Sequence, residues 1–265
     1  MLGEVFRRAL PDRSVTTVVA TVCEVVEAAG GADSLGVGMP GFVYAGQVLR
    51  SPNFPEWRDV PLAAALSARL GARVVVDNDA NLAAFGAWAR RGGTESLVML
   101  TLGTGVGGGF VFDGQPFVGG RGTAAEVGHM WIGGERRCGC GATGCLETWV
   151  ATHGLVAGGR ERGHTVADGA AVIAAADAGE AWAADVLAEA ATALGRALRT
   201  LGNLLDPDVM VIAGGLADPR WLGPAEAVFR RDAVAPSAER AQIVWDGRAD
   251  DLAIIGGARL ARSRR

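Results

Sequence analysis

The sequence predicts an α/β protein of mixed, largely wound architecture, and two observations carry that expectation. Apolar runs of strand length alternate with longer alanine-rich stretches of helical spacing along the 265 residues. Glycine is abundant, at 40 residues, and much of it stands where the apolar runs end, as functional turns at strand ends require.

Residues 3–9 read as a short strand, and Ser14 opens a helical stretch through Glu27. Leu35-Gly36-Val37-Gly38 is a buried strand that stops at Pro40-Gly41. Residues 42–44 and 47–49 form a hairpin about Ala45-Gly46, followed by the loop SPNFPEW. A helix over 62–70 leads into Val74-Val75-Val76, a strand that runs straight into Asp77-Asn78-Asp79, and alanine-rich 80–91 continues as helix. Residues 97–102, the turn GTGVGGG and residues 110–112 form a second hairpin-like unit. Alanine-rich segments near 168–178 and 181–205 are helical, and 209–212 is a strand ending at Gly214-Gly215. No long linker, low-complexity tract or internal repeat interrupts this order.

Hydrophobic residues make up 49% and charged residues 20%, enough to bury a core in one large domain or two smaller ones. No apolar run is long enough for a membrane helix, and MLGEVFRRALPDRS lacks the apolar segment of a secretory signal, which places the protein in the cytoplasm. A net charge of −4, a pI near 5.5 and the absence of a basic stripe argue against a nucleic-acid partner. The terminal Arg262-Ser263-Arg264-Arg265 reads as a solvated tail. All 25 basic residues are arginine, which excludes a Walker A lysine, a protein-kinase-type lysine and a Schiff base.

Three motifs could carry chemistry. Cys138, Cys140 and Cys145 stand in C-x-C-x4-C spacing among Gly139, Gly141 and Gly144, and a reducing compartment disfavours a disulfide scaffold. Tetrahedral zinc wants four N or S ligands, and His129, nine residues upstream of Cys138, is the nearest candidate for the fourth; the alternative is three buried, reduced thiols. Such a Cys3His site would be closed and structural. Asp77-Asn78-Asp79 follows a strand, where a carboxylate can take a proton from a substrate hydroxyl, or can merely cap the next helix. The Gly103–Gly109 run and Gly214-Gly215 lie at strand ends, where bare backbone can approach phosphate or nucleoside, or simply turn the chain.

In their order, SPNFPEW, VVVDNDAN, LGTGVGGGF, GTAAEVGHM, CGCGATGCLE and DPDVMVIAGGL resemble the ROK family of bacterial sugar kinases and sugar-responsive repressors, its ATP-dependent glucokinases in particular. The resemblance runs from about residue 3 to the C-terminus. It implies an actin-like (ASKHA, ribonuclease H-like) fold of two α/β domains, 1–90 with a C-terminal helix at 255–265, and 91–254 with the zinc loop, closing on sugar and MgATP. It implies that Asn53 and Asn78 bind sugar hydroxyls and that Asp79 is the catalytic base. Glu126, His129 and Glu147 would hold other ring hydroxyls. His129, Cys138, Cys140 and Cys145 would bind a structural Zn2+, with the second His129 nitrogen turned to the sugar. Gly103, Thr104, Gly105, Gly107 and Gly108 would contact the ATP phosphates, and Gly214 and Gly215 the nucleoside. A homodimer or homotetramer acting on a hexose, most simply glucose to glucose 6-phosphate, follows from the same resemblance.

The family begins with an apolar strand carrying Asp-x-Gly-Gly-Thr, which this sequence lacks, so the expected fold is N-terminally truncated and the activity of the short chain impaired. Two other readings stand beside glucokinase: a non-catalytic ROK-type sugar sensor, and an N-acetylhexosamine kinase. A zinc hydrolase would need an open metal position, which four protein ligands do not leave.

Overall fold

A computed structural model describes residues 4–247 and 249–263. The chain divides into two compact units: residues 4–93, 115–124 and 250–263 form the first, and 94–114 with 125–249 the second.

In the first unit, Ser14 caps α1 (Val15–Ala28), its Oγ accepting from the Thr17 N–H at 3.2 Å and satisfying one of the helix's orphan donors. β1 (Ser34–Met39) runs parallel to β4 (Arg73–Asn78), with Leu35 opposite Val74 and Met39 opposite Asn78. Between them β2 (Phe42–Tyr44) and β3 (Gln47–Arg50) pair as a hairpin. Its two turn residues, Ala45 and Gly46, have φ of 49° and 77°, the left-handed pair that a tight hairpin needs. α2 (Leu62–Leu70) buries Leu62 and Leu66 against Val18, Val48, Trp57 and Val76. α3 (Asp79–Arg90) starts directly from the end of β4.

The expected N-terminal strand is absent over the described residues 4–9. Val5 is 58% exposed and the segment buries no apolar face, so nothing holds it extended in a ladder. Residue 3 lies outside the described residues.

The second unit is built on β5 (Leu97–Leu102), to which β6 (Val106–Phe112) is antiparallel. The two-residue β7 (Gln115–Pro116) follows in the first unit. On the other edge of β5 lies β8 (Val209–Ala213), parallel to it, and β9 (Gln242–Asp246) is parallel to β8. β8 is buried at every residue, which is why it reads as a continuous apolar run. Helices α4 (Glu147–Val150), α5 (Thr152–Glu161), α6 (Gly169–Asp177), α7 (Ala181–Leu205), α8 (Pro219–Asp232) and α9 (Ala235–Arg240) complete the unit. Leu194, Leu198, Leu201, Leu222 and Phe229 from α7 and α8 share one core with Leu100, Met210 and Ile212 of the sheet.

α10 (Ala249–Arg262) returns to the first unit and starts earlier than the sequence suggests; residues 264 and 265 lie outside the described residues. It packs backbone against backbone. A Cβ added at Gly86 would lie 1.9 Å from Leu252 O, at Gly256 1.8 Å from Leu82 O, and at Gly36 2.2 Å from Gly257 O. The expected solvated tail is in part tied down, because Arg73 Nη1 donates to Ser263 O at 2.6 Å. Among the described residues no helix is long and apolar enough to cross a membrane.

Candidate functional site

In the first unit, Asn78 resolves the question of what caps α3. Its Oδ1 accepts from the N–H groups of Ala80 at 2.9 Å and Asn81 at 3.1 Å, and its Nδ2 donates to Gly41 O at 2.9 Å. Asn78 is thus the N-cap, which leaves one amide hydrogen of Nδ2 for a ligand. Asp77 Oδ1 accepts from Asn81 Nδ2 at 3.0 Å and from the Asn78 N–H at 2.7 Å, a supporting contact that strand-end spacing does not announce. Asp79 sits exposed in the first turn of α3, its Oδ1 accepting from its neighbour's N–H at 2.9 Å. Asn53 is exposed in a folded loop: Phe54 N–H bonds Ser51 O, Trp57 N–H bonds Phe54 O, and Arg13 Nη1 donates to Asn53 O at 2.9 Å. Phe54 and Trp57, with ring centroids 4.6 Å apart, anchor that loop in the core.

In the second unit, the cysteine motif folds back on itself. Cys138 N–H bonds Ala142 O, Gly144 N–H bonds Arg136 O, Ile132 N–H bonds Gly144 O, and Leu146 N–H bonds Met130 O. This narrow hairpin sets His129, at the end of the 3-10 turn Val127–His129, beside Glu147, at the start of α4. One ligand atom each from His129, Cys138, Cys140 and Cys145 lie within 4.8 Å of one another. Cys140 Sγ and Cys145 Sγ are 3.8 Å apart, and Cys138 Sγ and His129 Nδ1 3.5 Å. A tetrahedron with metal–sulfur bonds of about 2.3 Å and a metal–nitrogen bond of about 2.0 Å has edges of about 3.8 and 3.5 Å, so the donor set fits zinc.

The two nitrogens of His129 face different partners. Nδ1 lies 3.8 Å from Glu147 Oε1 on the thiol side, while Nε2 lies 3.8 Å from Glu126 Oε2. Partial burial pushes the Glu126 carboxyl up, with His129 opposing and Glu147 adding to the rise. Burial, and then Glu147 Oε1 accepting its S–H at 2.9 Å, push the Cys138 thiol well up, and burial pushes Cys145 up. Exposed Cys140 is held down by the backbone N–H of Ala142.

The glycine run differs from its expected form. Only Gly103, Thr104 and Gly105 make the turn, whereas Gly107 and Gly108 belong to β6, opposite Thr101 and Leu100. A Cβ at Gly108 would stand 2.4 Å from Ala125 O, and one at Gly128 2.4 Å from Val106 O, so these glycines let β6 and the Val127–His129 turn touch. Gly103 and Gly215 are different: a Cβ at either would meet nothing within 4 Å. They stand at the carboxyl ends of the parallel neighbours β5 and β8, open on the side where an α/β sheet binds ligands. Gly214 has φ 103° and abuts Leu102 O. His153, which no motif flags, places Nδ1 3.3 Å from Thr104 O, and Thr152 N–H bonds Gly103 O at 2.9 Å, tying the turn to α5.

Comparison with known proteins gives the same architecture. A family model described as "ROK family" matches residues 7–264. A glucokinase of Halalkalibacterium halodurans is 36% identical over 252 residues, 87% of this chain and 76% of that protein. An N-acetyl-D-glucosamine kinase of Escherichia coli is 35% identical over 226 residues, 78% of this chain and 75% of that protein. Among solved structures, a ROK family glucokinase from Streptomyces griseus in complex with glucose and AMPPNP superposes with a TM-score of 0.80 at 30% identity, covering 97% of this chain and 91% of that one. The fold is therefore the actin-like fold of these sugar kinases, and the chain belongs to the ROK family.

Proposed function

We propose that this chain is an ATP-dependent hexose kinase that phosphorylates glucose to glucose 6-phosphate. The observation that carries the reading is His129, whose imidazole presents Nδ1 to the thiols and Nε2 toward Glu126. A ring held from its metal side offers its other nitrogen, with Glu126 and Glu147, as a set of partners for sugar hydroxyls. Zn2+, held by His129, Cys138, Cys140 and Cys145, would supply folding energy and fix this loop, with no open position for catalysis.

Asp79 is the base. Its carboxylate takes the proton of the sugar hydroxyl as that oxygen attacks the γ-phosphorus of ATP, and the bond to the β–γ bridging oxygen breaks to release ADP. Asn53 and the spare hydrogen of Asn78 hold neighbouring hydroxyls. In the Gly103–Gly105 turn, where Gly103 N–H bonds Gly105 O, the N–H groups of Thr104 and Gly105 would donate to the phosphates, whose charge Mg2+ would offset, and Gly214 with Gly215 would admit the nucleoside. No step asks for a lysine. Reduced thiols and ATP both belong to the cytoplasm. Assembly as a homodimer or homotetramer is part of the same proposal and is read by light scattering.

Glucose phosphorylation measured with Asp79→Asn tests the role: turnover falls about 10²–10⁴-fold while glucose affinity is kept. Loss of glucose binding in parallel with turnover would remove Asp79 from the position of base. The second reading, an N-acetylhexosamine kinase, is favoured by the Escherichia coli relative at 35% identity. Turnover on glucose, mannose, N-acetylglucosamine and N-acetylmannosamine separates the two.

A further inference from the structure

Arg136 stands two residues before Cys138, where a basic residue flanking a metal loop is ordinarily a solvated charge. Instead its side chain is only 15% exposed and every part of the guanidinium is engaged. Nε donates to Glu161 Oε1 at 3.0 Å and Nη2 to Glu161 Oε2 at 2.6 Å, a two-point fork onto α5. Nη2 also lies 3.9 Å from Glu189 Oε2 on α7, and Arg162 ties the other oxygen of that carboxylate at 2.7 Å. Nη1 donates to Thr148 O at 3.1 Å and to Gly154 O at 3.4 Å. The flat face lies 4.2 Å over the Trp149 ring, whose Nε1 bonds Gly133 O at 3.1 Å.

These contacts converge on α4, the single turn that begins with Glu147. Ala151 N–H bonds Glu147 O, but the chain breaks at Ala151 (ψ 166°) before α5 and Thr152 N–H turns away to Gly103 O, so Thr148 O receives no backbone N–H from the following turn. Arg136 supplies Thr148 O with a donor, and the side chain next to it, Trp149, with a cation to lie under. Glu147 therefore starts a one-turn helix pinned at its second and third residues, while Arg136 O, accepting from Gly144 N–H at 3.0 Å, pins the cysteine hairpin from the opposite strand.

We infer that Arg136 is a positioning residue for sugar recognition, holding the Glu147 carboxylate and the cysteine hairpin in one fixed relation. The inference rests on the reading of Glu147 as a sugar ligand. Lysine at this site keeps the charge but loses the fork, the second carbonyl contact and the flat face over Trp149.

The test is calorimetric affinity for glucose and, separately, for a non-hydrolysable ATP analogue, with zinc content measured on the same samples, in the full chain. Arg136→Lys is expected to weaken glucose about tenfold or more with bound zinc and nucleotide affinity unchanged. Glu161→Gln, on α5 and outside the hairpin itself, is expected to weaken glucose in the same selective way, though less. Equal weakening of glucose and nucleotide in either variant, or glucose affinity unchanged in both, overturns the inference; if Arg136→Lys does not fold, Glu161→Gln alone decides. Glu147→Gln separates the two layers. If it weakens glucose while Arg136→Lys and Glu161→Gln do not, only the role of Arg136 fails. If glucose affinity survives Glu147→Gln, the reading of the site fails and the role of Arg136 fails with it.

Discussion

At the scale of single residues, what decides a role is which hydrogen-bonding capacity remains after local needs are met. Asn78 caps α3 with its oxygen and reaches Gly41 with one amide hydrogen, so the N-D-A-N sequence states the presence of a polar strand end without stating that its asparagine is mostly committed. The cysteines and His129 were legible because metal spacing is a sequence property. Arg136 and His153 were not, because burial and the direction of a long side chain depend on the hairpin and on α5. Asp208 offers a test at this scale. Ser96 donates to its Oδ2 through both Oγ and N–H, each at 2.7 Å, and these bonds hold its carboxyl below the usual range. A carboxyl whose folded pKa is depressed adds stability above the unfolded value, near pH 4, and loses it as pH falls through the lower folded value. Ser96→Ala is expected to lower Tm at pH 7 and to shrink the further drop between pH 4 and pH 2; thermal melts at the three pH values check it, and an unchanged acid drop would count against the Ser96 bonds as its source.

Elements were legible where a pattern repeats and illegible where packing overrides it. β4, β5 and β8 read as strands from unbroken apolar runs, and α7 from its long alanine-rich period. α8 carries Pro219, Gly223 and Pro224, which argue against a helix by local preference. It forms because Pro219 occupies the first turn, where its missing N–H costs nothing, and because Gly195 lets α7 approach Val228, with a Cβ there meeting it at 2.5 Å. β6 shows the opposite error, since three consecutive glycines look like a turn yet continue the ladder opposite 99–101. Gly108 therefore serves contact between β6 and the Val127–His129 turn. Gly108→Ala is expected to cost about 1–3 kcal/mol through overpacking, several degrees in Tm, and to disturb sugar affinity because the displaced turn carries His129. Gly103→Ala, where a Cβ meets nothing, is expected to leave Tm unchanged and to weaken nucleotide. Melting curves and nucleotide titrations of the two variants would show the reverse pattern if the assignments were exchanged.

For the molecule as a whole, the fold class and family followed from motif order; the first unit is assembled from three separate stretches, and the short one at 115–124 has no signal in the sequence because only packing assigns it. Zn2+ held by the proposed His129, Cys138, Cys140 and Cys145 set would tie one local loop and not a domain. Removal with a strong chelator is expected to abolish glucose affinity while most of the helical circular dichroism persists, and readdition of Zn2+ to restore it; collapse of the helical signal would instead make the metal a requirement for the whole fold. The glycine contacts of α10 carry a consequence of another kind. Gly36 and Gly86 meet the backbone of a helix that is translated only after the whole second unit. At about 5–20 residues per second the ribosome needs on the order of ten seconds or more to cross 94–249. Through that interval β1 and α3 hold out bare backbone grooves with no occupant, so these early elements reach their native packing only after the second unit has been made.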